Sequence, residues 1–506
     1  MQARSHLLMH RVDQPMEDKL RKFRVMAGTL VPAVLLMACT SRPGQVWQAG
    51  PVPAAAAPAG VAQAQCVYTD QGAGDTLLIG PTLLPSGEAR RMGTVLENGL
   101  IKEVGEVEAL RSQYAGANRV ECQQVLITPG LVNAHEHLPY SFARAPASLA
   151  PVYVHRDEWR NGENAKDKLV ALPTENPAVL ASIELRHLLH GATTVAGSGG
   201  MPGLVKNVSS PASEANVFVA DMKTFPFGTD VNVRFGAAPC DLDAGKLGAI
   251  GLSTGAPLTS PLVAHVGEGT NCAAKLEIDQ FLAQAQRDAS RAYGLIHAIR
   301  LDRSHLPMLR SGKVSVIWSP RWNLALYGQT LDPAWLLDAG VNVGLGTDWS
   351  PSGSFDMIEE MRCARTANAA ASSRALSGAE ILKMATSGAA AALGVDDRVG
   401  SIAPGKAADV AIFADPRSLG ADVAGSLDNA AMIAVFVDGG LRAGDTARFQ
   451  GRLPARCGNA VAGKFVCEDF SRHGLRFEQV LAASQEGVAP MATDGQAACT
   501  PAARSN

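Results

Sequence analysis

Leu126-Ile-Thr-Pro-Gly-Leu-Val-Asn-Ala-His-Glu-His137 is an apolar run that closes on two histidines one residue apart. Side chains at i and i+2 of an extended chain project to the same side, so a strand ending here offers both imidazoles to one metal ion. Patterns this short also arise by chance on surface loops. The choice between the two readings depends on whether other ligands reach the same place.

Downstream of this run, short apolar stretches alternate with helical patterns, the mark of βα units around a parallel sheet. Glu184-Leu-Arg-His-Leu-Leu-His-Gly191 reads as a helix tail stopped by glycine, with Ala192–Ala196 following as a strand. Leu262–His265, Gly294–His297, Val314–Ser319 and Val341–Asp348 are further runs that each end on a polar or ionisable residue. Between Gly197 and Pro261 the strands are poorly defined, and Asn216–Met222 and Val231–Phe235 are the candidates. Ser377-x-x-Glu380 looks like a capping box opening a helix that Gly394 stops.

In a βα barrel the C-terminal strand ends converge on one face, so His135, His137, His265, His297 and Asp348 would meet there, with Glu268 just past its strand. Neutral imidazoles with a carboxylate suit Zn²⁺ or another late first-row divalent ion, which can turn a bound water into hydroxide near neutral pH. Glu268 stands where a carboxylate can take the water's proton and pass it to a leaving nitrogen. Histidine ligands must be neutral, so activity should fall on the acid side. His155, His187, His190 and His305 lack such company and read as structural or exposed.

The flanks differ in texture. Thr76–Gly80, Gly93–Glu97 and Leu100–Val104 are short strands broken by Pro85-Ser-Gly87 and Asn98-Gly99 turns, and Gly405–Phe413 and Ala434–Gly440 repeat the pattern. One small β-sandwich built from both ends, residues 66–128 and 398–470, would flank a barrel of residues 129–397 and leave a tail at 471–506. Lys19-Leu-Arg-Lys-Phe-Arg24 followed by apolar Val25–Ala38 reads as a signal peptide over residues 1–39, too short to span a bilayer. Residues 40–65, rich in Pro, Ala, Gly and Gln, read as a flexible linker. Export permits disulfides, and Cys457 with Cys467 is the first pair to expect. A 47% hydrophobic chain with formal net charge −3 can build a large core and carries no nucleic-acid footprint.

Taken together, Pro129–His137, Gly191-Ala-Thr-Thr-Val195, His265-Val-Gly-Glu268, Ile296-His297, Gly346-Thr-Asp348 and Gly400–Asp409 resemble the amidohydrolase superfamily, in its cytosine deaminase and chlorohydrolase-like branch. The resemblance implies a distorted (β/α)8 barrel holding one divalent metal, zinc or else iron, on the residues matching His135, His137, His265 and Asp348. It implies catalytic roles for Glu268 as acid/base, for His297 as the group that polarises substrate, and for Asp348 in sharing proton handling. The activity implied is hydrolysis of non-peptide carbon–nitrogen bonds in a small molecule: cyclic amide or amidine hydrolysis, or deamination. Leu36-Met-Ala-Cys39 resembles a bacterial lipobox, which implies an envelope protein held to the membrane by lipid on Cys39; a homo-oligomer is compatible with the sequence, which does not fix the oligomeric state. A binuclear dipeptidase- or lactonase-type relative, with Lys223 bridging two metals, and a catalytically silent binding protein are the alternatives. Arg156, Trp159, Arg160, Trp318, Arg321, Asn323 and Trp349 are the residues placed to touch substrate.

Overall fold

The strand Leu131–Glu136 carries the first histidine pair and starts a three-stranded parallel sheet with Ala192–Gly197 and Lys206–Asn207. Asp221–Lys223, Leu262–Val266, Tyr293–His297, Val314–Trp318 and Val343–Leu345 follow as a five-stranded parallel sheet. Together they make a distorted (β/α)8 barrel. The backbone N–H of Asp348 donates to the His135 carbonyl at 2.9 Å, bringing the end of the last strand back against the first. A Cβ on Gly346 would lie 2.6 Å from that of His135, so only glycine permits this approach. The computed structural model describes residues 64–484 except 73, 142–152, 167, 170–172, 198–203, 210–220, 224–260, 289, 351, 373 and 415–431, and also describes residue 499.

Every residue of Leu262–Val266 and Tyr293–His297 is buried, as expected for barrel strands covered on both faces. Register pairs Val266 with His297 and His265 with Ile296, which places the two histidines at neighbouring strand ends. Of the candidate strands Asn216–Met222 and Val231–Phe235, only Asp221 and Met222 lie among the described residues, in the strand Asp221–Lys223, and the strand at Lys206–Asn207 is additional. Asn176 accepts from Ala178 N–H to cap the helix Pro177–Leu189, whose proline takes the first turn where no donor is needed. Ser377 and Glu380 form the expected capping box. The helix they open is not continuous to Gly394: it runs over Gly378–Met384 and restarts as Ser387–Ala392. Thr386 adopts φ −134° and ψ −101°, and its hydroxyl donates to the Leu382 carbonyl, which breaks the ladder there.

Strands from both ends of the chain share a twelve-stranded sheet. Val410–Ala414 lies antiparallel between Val125–Pro129 and Met432–Val437, and Gln65–Thr69 pairs in parallel with Phe449–Gly451. Asn98 and Gly99 take φ of 52° and 82°, the left-handed pair that closes a tight hairpin. Disulfides join Cys66 to Cys122 and Cys457 to Cys467, the latter as expected. Within the segment read as a tail, Phe477–Ala483 is a helix whose Phe477 and Val480 join the core of Leu185 and Leu188, and Cys499 is bonded to Cys363. The leader, Cys39 and residues 40–63 of the linker lie outside the described residues, and Gln65, placed in the linker by sequence, opens the strand Gln65–Thr69. No helix among the described residues is long and apolar enough to cross a membrane.

Candidate metal centre and active site

Asp348 is the hub of the strand-end cluster. Its Oδ2 lies 3.2 Å from His135 Nε2 and 3.4 Å from His297 Nε2, while Oδ1 lies 3.6 Å from His137 Nε2. The His265 ring centroid is 4.6 Å from that of His135 and 5.4 Å from that of His137. Donor atoms of His135, His265, His297 and Asp348 all fall within 4.8 Å of one another. The structure thus brings together every residue that the sequence singled out for metal binding, and gathers His297 as closely as any. Asp348 and His297 both hold positive φ, 58° and 70°, a strained conformation in side-chain-bearing residues of the kind found at functional sites.

Both nitrogens of His135, Nε2 of His297, Oδ2 of Asp348 and Oε2 of Glu268 are buried without a hydrogen-bond partner. Polar atoms buried together in this way lack compensation unless a further group binds among them, and imidazole nitrogens with carboxylate oxygen are the donor set of a borderline divalent ion. Burial, aided by the neighbouring His135, holds the His137 imidazole down to about 4, and burial holds that of His297 down to about 3. His265 is also pushed well below its ordinary value by burial and by the surrounding histidines. Burial alone would raise Asp348, but the three facing imidazoles of His135, His137 and His297 outweigh it and leave its carboxyl at about 2. Neutral imidazoles around an ionised carboxylate are the protonation states that a metal requires.

His297 Nδ1–H donates to Asn323 Oδ1 at 3.0 Å, and Asn323 Nδ2 donates to Thr330 Oγ1 at 3.1 Å. This fixes the ring with Nε2 directed between Asp348 and Glu268, whose Oε2 is 3.8 Å away. Oε1 of Glu268 accepts from Trp322 Nε1 at 3.1 Å and from the Tyr327 hydroxyl at 2.8 Å, and that hydroxyl accepts from Trp159 Nε1 at 2.8 Å. Burial pushes the Glu268 carboxyl up to about 8 against the opposing charge of Arg156, with Asp348 adding to the rise. Glu136, between the paired histidines, is held ionised despite burial by His187, Ser141 and Thr347, and so ties the first strand end to the segment bearing Asp348.

A cavity of about 310 Å³ opens above this floor. Of the residues placed to touch substrate, Trp159, Arg160 and Trp349 line it, joined by Tyr140 and Trp322. The others do different work: Arg156 is buried against Glu277, Trp318 donates to Thr330, Asn323 holds His297, and Arg321 pairs with Glu359. Trp322 and Tyr327 escaped sequence reading because nothing local marks a residue on Pro320–Tyr327 as facing Glu268. His155, His187, His190 and His305 are all buried with carboxylate neighbours, apart from the cluster.

Residues 292–442 match the amidohydrolase family. Over 369 residues the chain is 28% identical to the 5-methylthioadenosine/S-adenosylhomocysteine deaminase of Syntrophobacter fumaroxidans, spanning 65% of this chain and 82% of that one. It is 26% identical over 364 residues to the protein of the same name from Desulforudis audaxviator, at 63% and 80% coverage. Among solved structures, a zinc-bound adenosine deaminase from Xanthomonas campestris superposes with TM-score 0.53 at 21% identity, over 73% of this chain and 92% of that one. A triazine hydrolase variant does so with TM-score 0.50 at 21% identity, over 72% and 94%. Those two likenesses are of fold. The chain is a metal-dependent enzyme that hydrolyses carbon–nitrogen bonds other than peptide bonds, similar over residues 292–442 to the amidohydrolase family.

Proposed function

We propose that the chain is a zinc-dependent deaminase that replaces an exocyclic amino group on a flat nitrogen heterocycle of the adenine kind with oxygen, releasing ammonia. The observation that carries this is Glu268, buried and raised to about 8, its Oε2 3.8 Å from His297 Nε2, at the floor of an aromatic cavity. Relatives named as deaminases of adenine nucleosides support the substrate class.

His135, His137, His265 and Asp348 would hold the ion. A bound divalent ion supplies Lewis acidity that lets water attack an sp² carbon at neutral pH. Glu268, protonated near neutrality by its raised affinity for a proton, gives that proton to the substrate nitrogen and, once ionised, takes the attacking water's proton and delivers it to the departing nitrogen. Tyr327 and Trp322 fix Oε1, leaving Oε2 to exchange the proton. His297 stands between the two carboxylates and orients the ring being attacked. Trp322 and Trp349, with ring centroids 5.3 Å apart, offer flat apolar surface to a heterocycle and exclude water from it.

A second reading of the donor set has a specific basis: His297 belongs to the tightest donor group, whereas the His137 side chain keeps 19% exposure and lines the cavity. On that reading the two histidines exchange roles while the reaction stays the same.

We also place the enzyme outside the cytoplasm, anchored through lipid on Cys39. The disulfides Cys66–Cys122, Cys363–Cys499 and Cys457–Cys467 support an oxidising compartment. Labelled fatty acid appearing on the wild-type protein and absent from Cys39→Ser checks the anchor. Ammonia release from adenosine and methylthioadenosine by zinc-loaded protein tests the reaction. A new carboxylate formed from a cyclic amide, with no ammonia from any aminopurine, would replace deamination by ring opening.

A further inference from the structure

We infer that Trp159 and Tyr327 form a hydrogen-bonded chain to Glu268 that decides which leaving group this site expels: an amine, which departs only with a proton, in preference to a halide, which needs none. The inference rests on the deaminase reading and adds the groups that select nitrogen.

The direction of the chain is fixed by its chemistry. An indole N–H can only donate, so the Tyr327 hydroxyl accepts from Trp159 Nε1 at 2.8 Å and its single proton is committed to Glu268 Oε1, also at 2.8 Å. Burial, with the Glu268 carboxylate adding to it, pushes the Tyr327 hydroxyl well above its ordinary value, so that proton stays in place. Trp322 Nε1 donates to the same oxygen at 3.1 Å. Oε1 is thus held by two donors, while Oε2, 3.8 Å from His297 Nε2, has no hydrogen-bond partner and is the oxygen left to carry a proton. Trp159 and Trp322 line the cavity and Tyr327 does not. Tyr327 is 1% exposed behind that wall, so it acts on substrate only through Glu268.

The spacing of the chain is set by backbone. Trp159 lies on the helix Arg156–Asn161, Glu268 follows the strand Leu262–Val266, and Tyr327 ends the helix Pro320–Tyr327. His155 and Gly269 form an antiparallel bridge, flanked by Thr270 N–H donating to the Val154 carbonyl at 2.9 Å and Arg156 N–H donating to the Glu268 carbonyl at 3.2 Å. Tyr153 N–H donates to the Leu326 carbonyl at 2.8 Å, which joins the same stretch to the Tyr327 helix. A Cβ on Gly269 would lie 2.5 Å from the Val154 carbonyl oxygen, so this approach admits only glycine. Three segments distant in sequence are therefore stitched together beside the three side chains. Loss of the Tyr327 hydroxyl leaves a gap that the backbone cannot close, with the Trp159 N–H unpaired and Oε1 short of one donor.

What the chain holds matters unequally to two leaving groups. With an amine, Glu268 gives the nitrogen the proton it took from water; the carbon–nitrogen bond pair leaves with that nitrogen as ammonia, and the carbon keeps the oxygen. With chlorine in the same position, the carbon–chlorine pair leaves as chloride, the carbon again keeps the oxygen, and the water's proton passes from Glu268 to solvent. Proton delivery to the leaving atom belongs to the first reaction alone.

The test uses zinc-loaded full-length protein and matched pairs, adenosine with its 6-chloro counterpart and methylthioadenosine with its 6-chloro counterpart, reading ammonia and chloride. In Tyr327→Phe, kcat for the amine should fall about tenfold or more with KM held within about threefold, and the amine-to-chloride ratio of kcat should fall about tenfold. That ratio is taken within one preparation, so any loss of folded protein cancels. Trp159→Phe, which keeps a flat ring and loses the N–H, should lower the same ratio by less. Adding it to Tyr327→Phe should lower kcat no further, because it acts through the hydroxyl. An unchanged ratio in Tyr327→Phe, a loss carried by KM, or losses that multiply in the double variant overturn the inference while leaving deamination standing. Ammonia from neither amine in the wild type overturns the deaminase reading and this inference with it.

Discussion

Replacing Arg156 with methionine tests how the site's acid is held. Arg156 and Glu277 are 1% and 0% exposed, and Arg156 Nη1 donates to Glu277 Oε2 and Nη2 to Oε1, each at 2.6 Å. Glu277 Oε2 also accepts the Gly267 N–H at 3.1 Å, and Arg156 N–H donates to the Glu268 carbonyl at 3.2 Å. The pair therefore clamps the two-residue step between His265 and Glu268. Burial alone would raise the Glu277 carboxyl, but Arg156 and His155 outweigh it and hold it at about 2 against an ordinary 4.5. That depression corresponds to something on the order of 3 kcal/mol, in line with the ~3–5 kcal/mol expected when one member of a buried pair is removed.

The sign follows from proton binding. Between pH 4.5 and about 2 the unfolded chain binds the proton that folded Glu277 refuses, so this stabilisation is complete above 4.5 and is lost as pH falls through that window. Calorimetric unfolding at one fixed scan rate should give a markedly lower Tm for Arg156→Met, together with a lower kcat as Glu268 loses its anchor. Arg156→Met/Glu277→Leu, which leaves no stranded charge, should recover most of the Tm without recovering kcat. An unchanged Tm in the single variant, or a double variant no better than the single, would refute the reasoning.

Metal content of His137→Gln and His297→Gln, measured after dialysis, separates ligand from substrate-facing histidine: loss in the former and retention in the latter is expected, and the reverse favours the second donor set. The pH profile of kcat/KM should fall above about pH 8 as Glu268 loses the proton it donates. Zinc uptake by the metal-free protein should weaken only as pH falls toward about 4, because burial holds the His137 imidazole there rather than at the ordinary 6.5; a loss centred near 6.5 would contradict the buried cluster. Gly346→Ala forces a Cβ to within 2.6 Å of that of His135, so metal affinity should drop about tenfold or more, or the protein should fail to fold; unaltered metal binding would show that the last strand does not close on the first.

Sequence reading reached the site because barrel strands are short apolar runs whose polar termini stand out: His265, His297 and Asp348 each end such a run. It reached the barrel for the same reason, and the shared β sheet through turn signals such as Asn98-Gly99. It missed what lies across the chain. Arg156 and Glu277 are 121 positions apart and Tyr327 lies 59 from Glu268, so no local periodicity records either contact. The strand Lys206–Asn207 is too short to show alternation. The helix break at Thr386 comes from one hydroxyl turned back on Leu382, in a stretch otherwise rich in alanine. Lys168 is an ordinary cation in sequence, and only the return of the chain past Gly162 brings it to the cavity that Arg160 also lines.

The most direct test of the central claim is ammonia release from an aminopurine by metal-quantified Glu268→Gln beside wild type. With the metal retained and Trp322 and Tyr327 still in place, turnover should fall by about 10²–10⁴-fold. Turnover within about twofold of wild type, at full metal content, would contradict the role given to Glu268 and the reaction built on it.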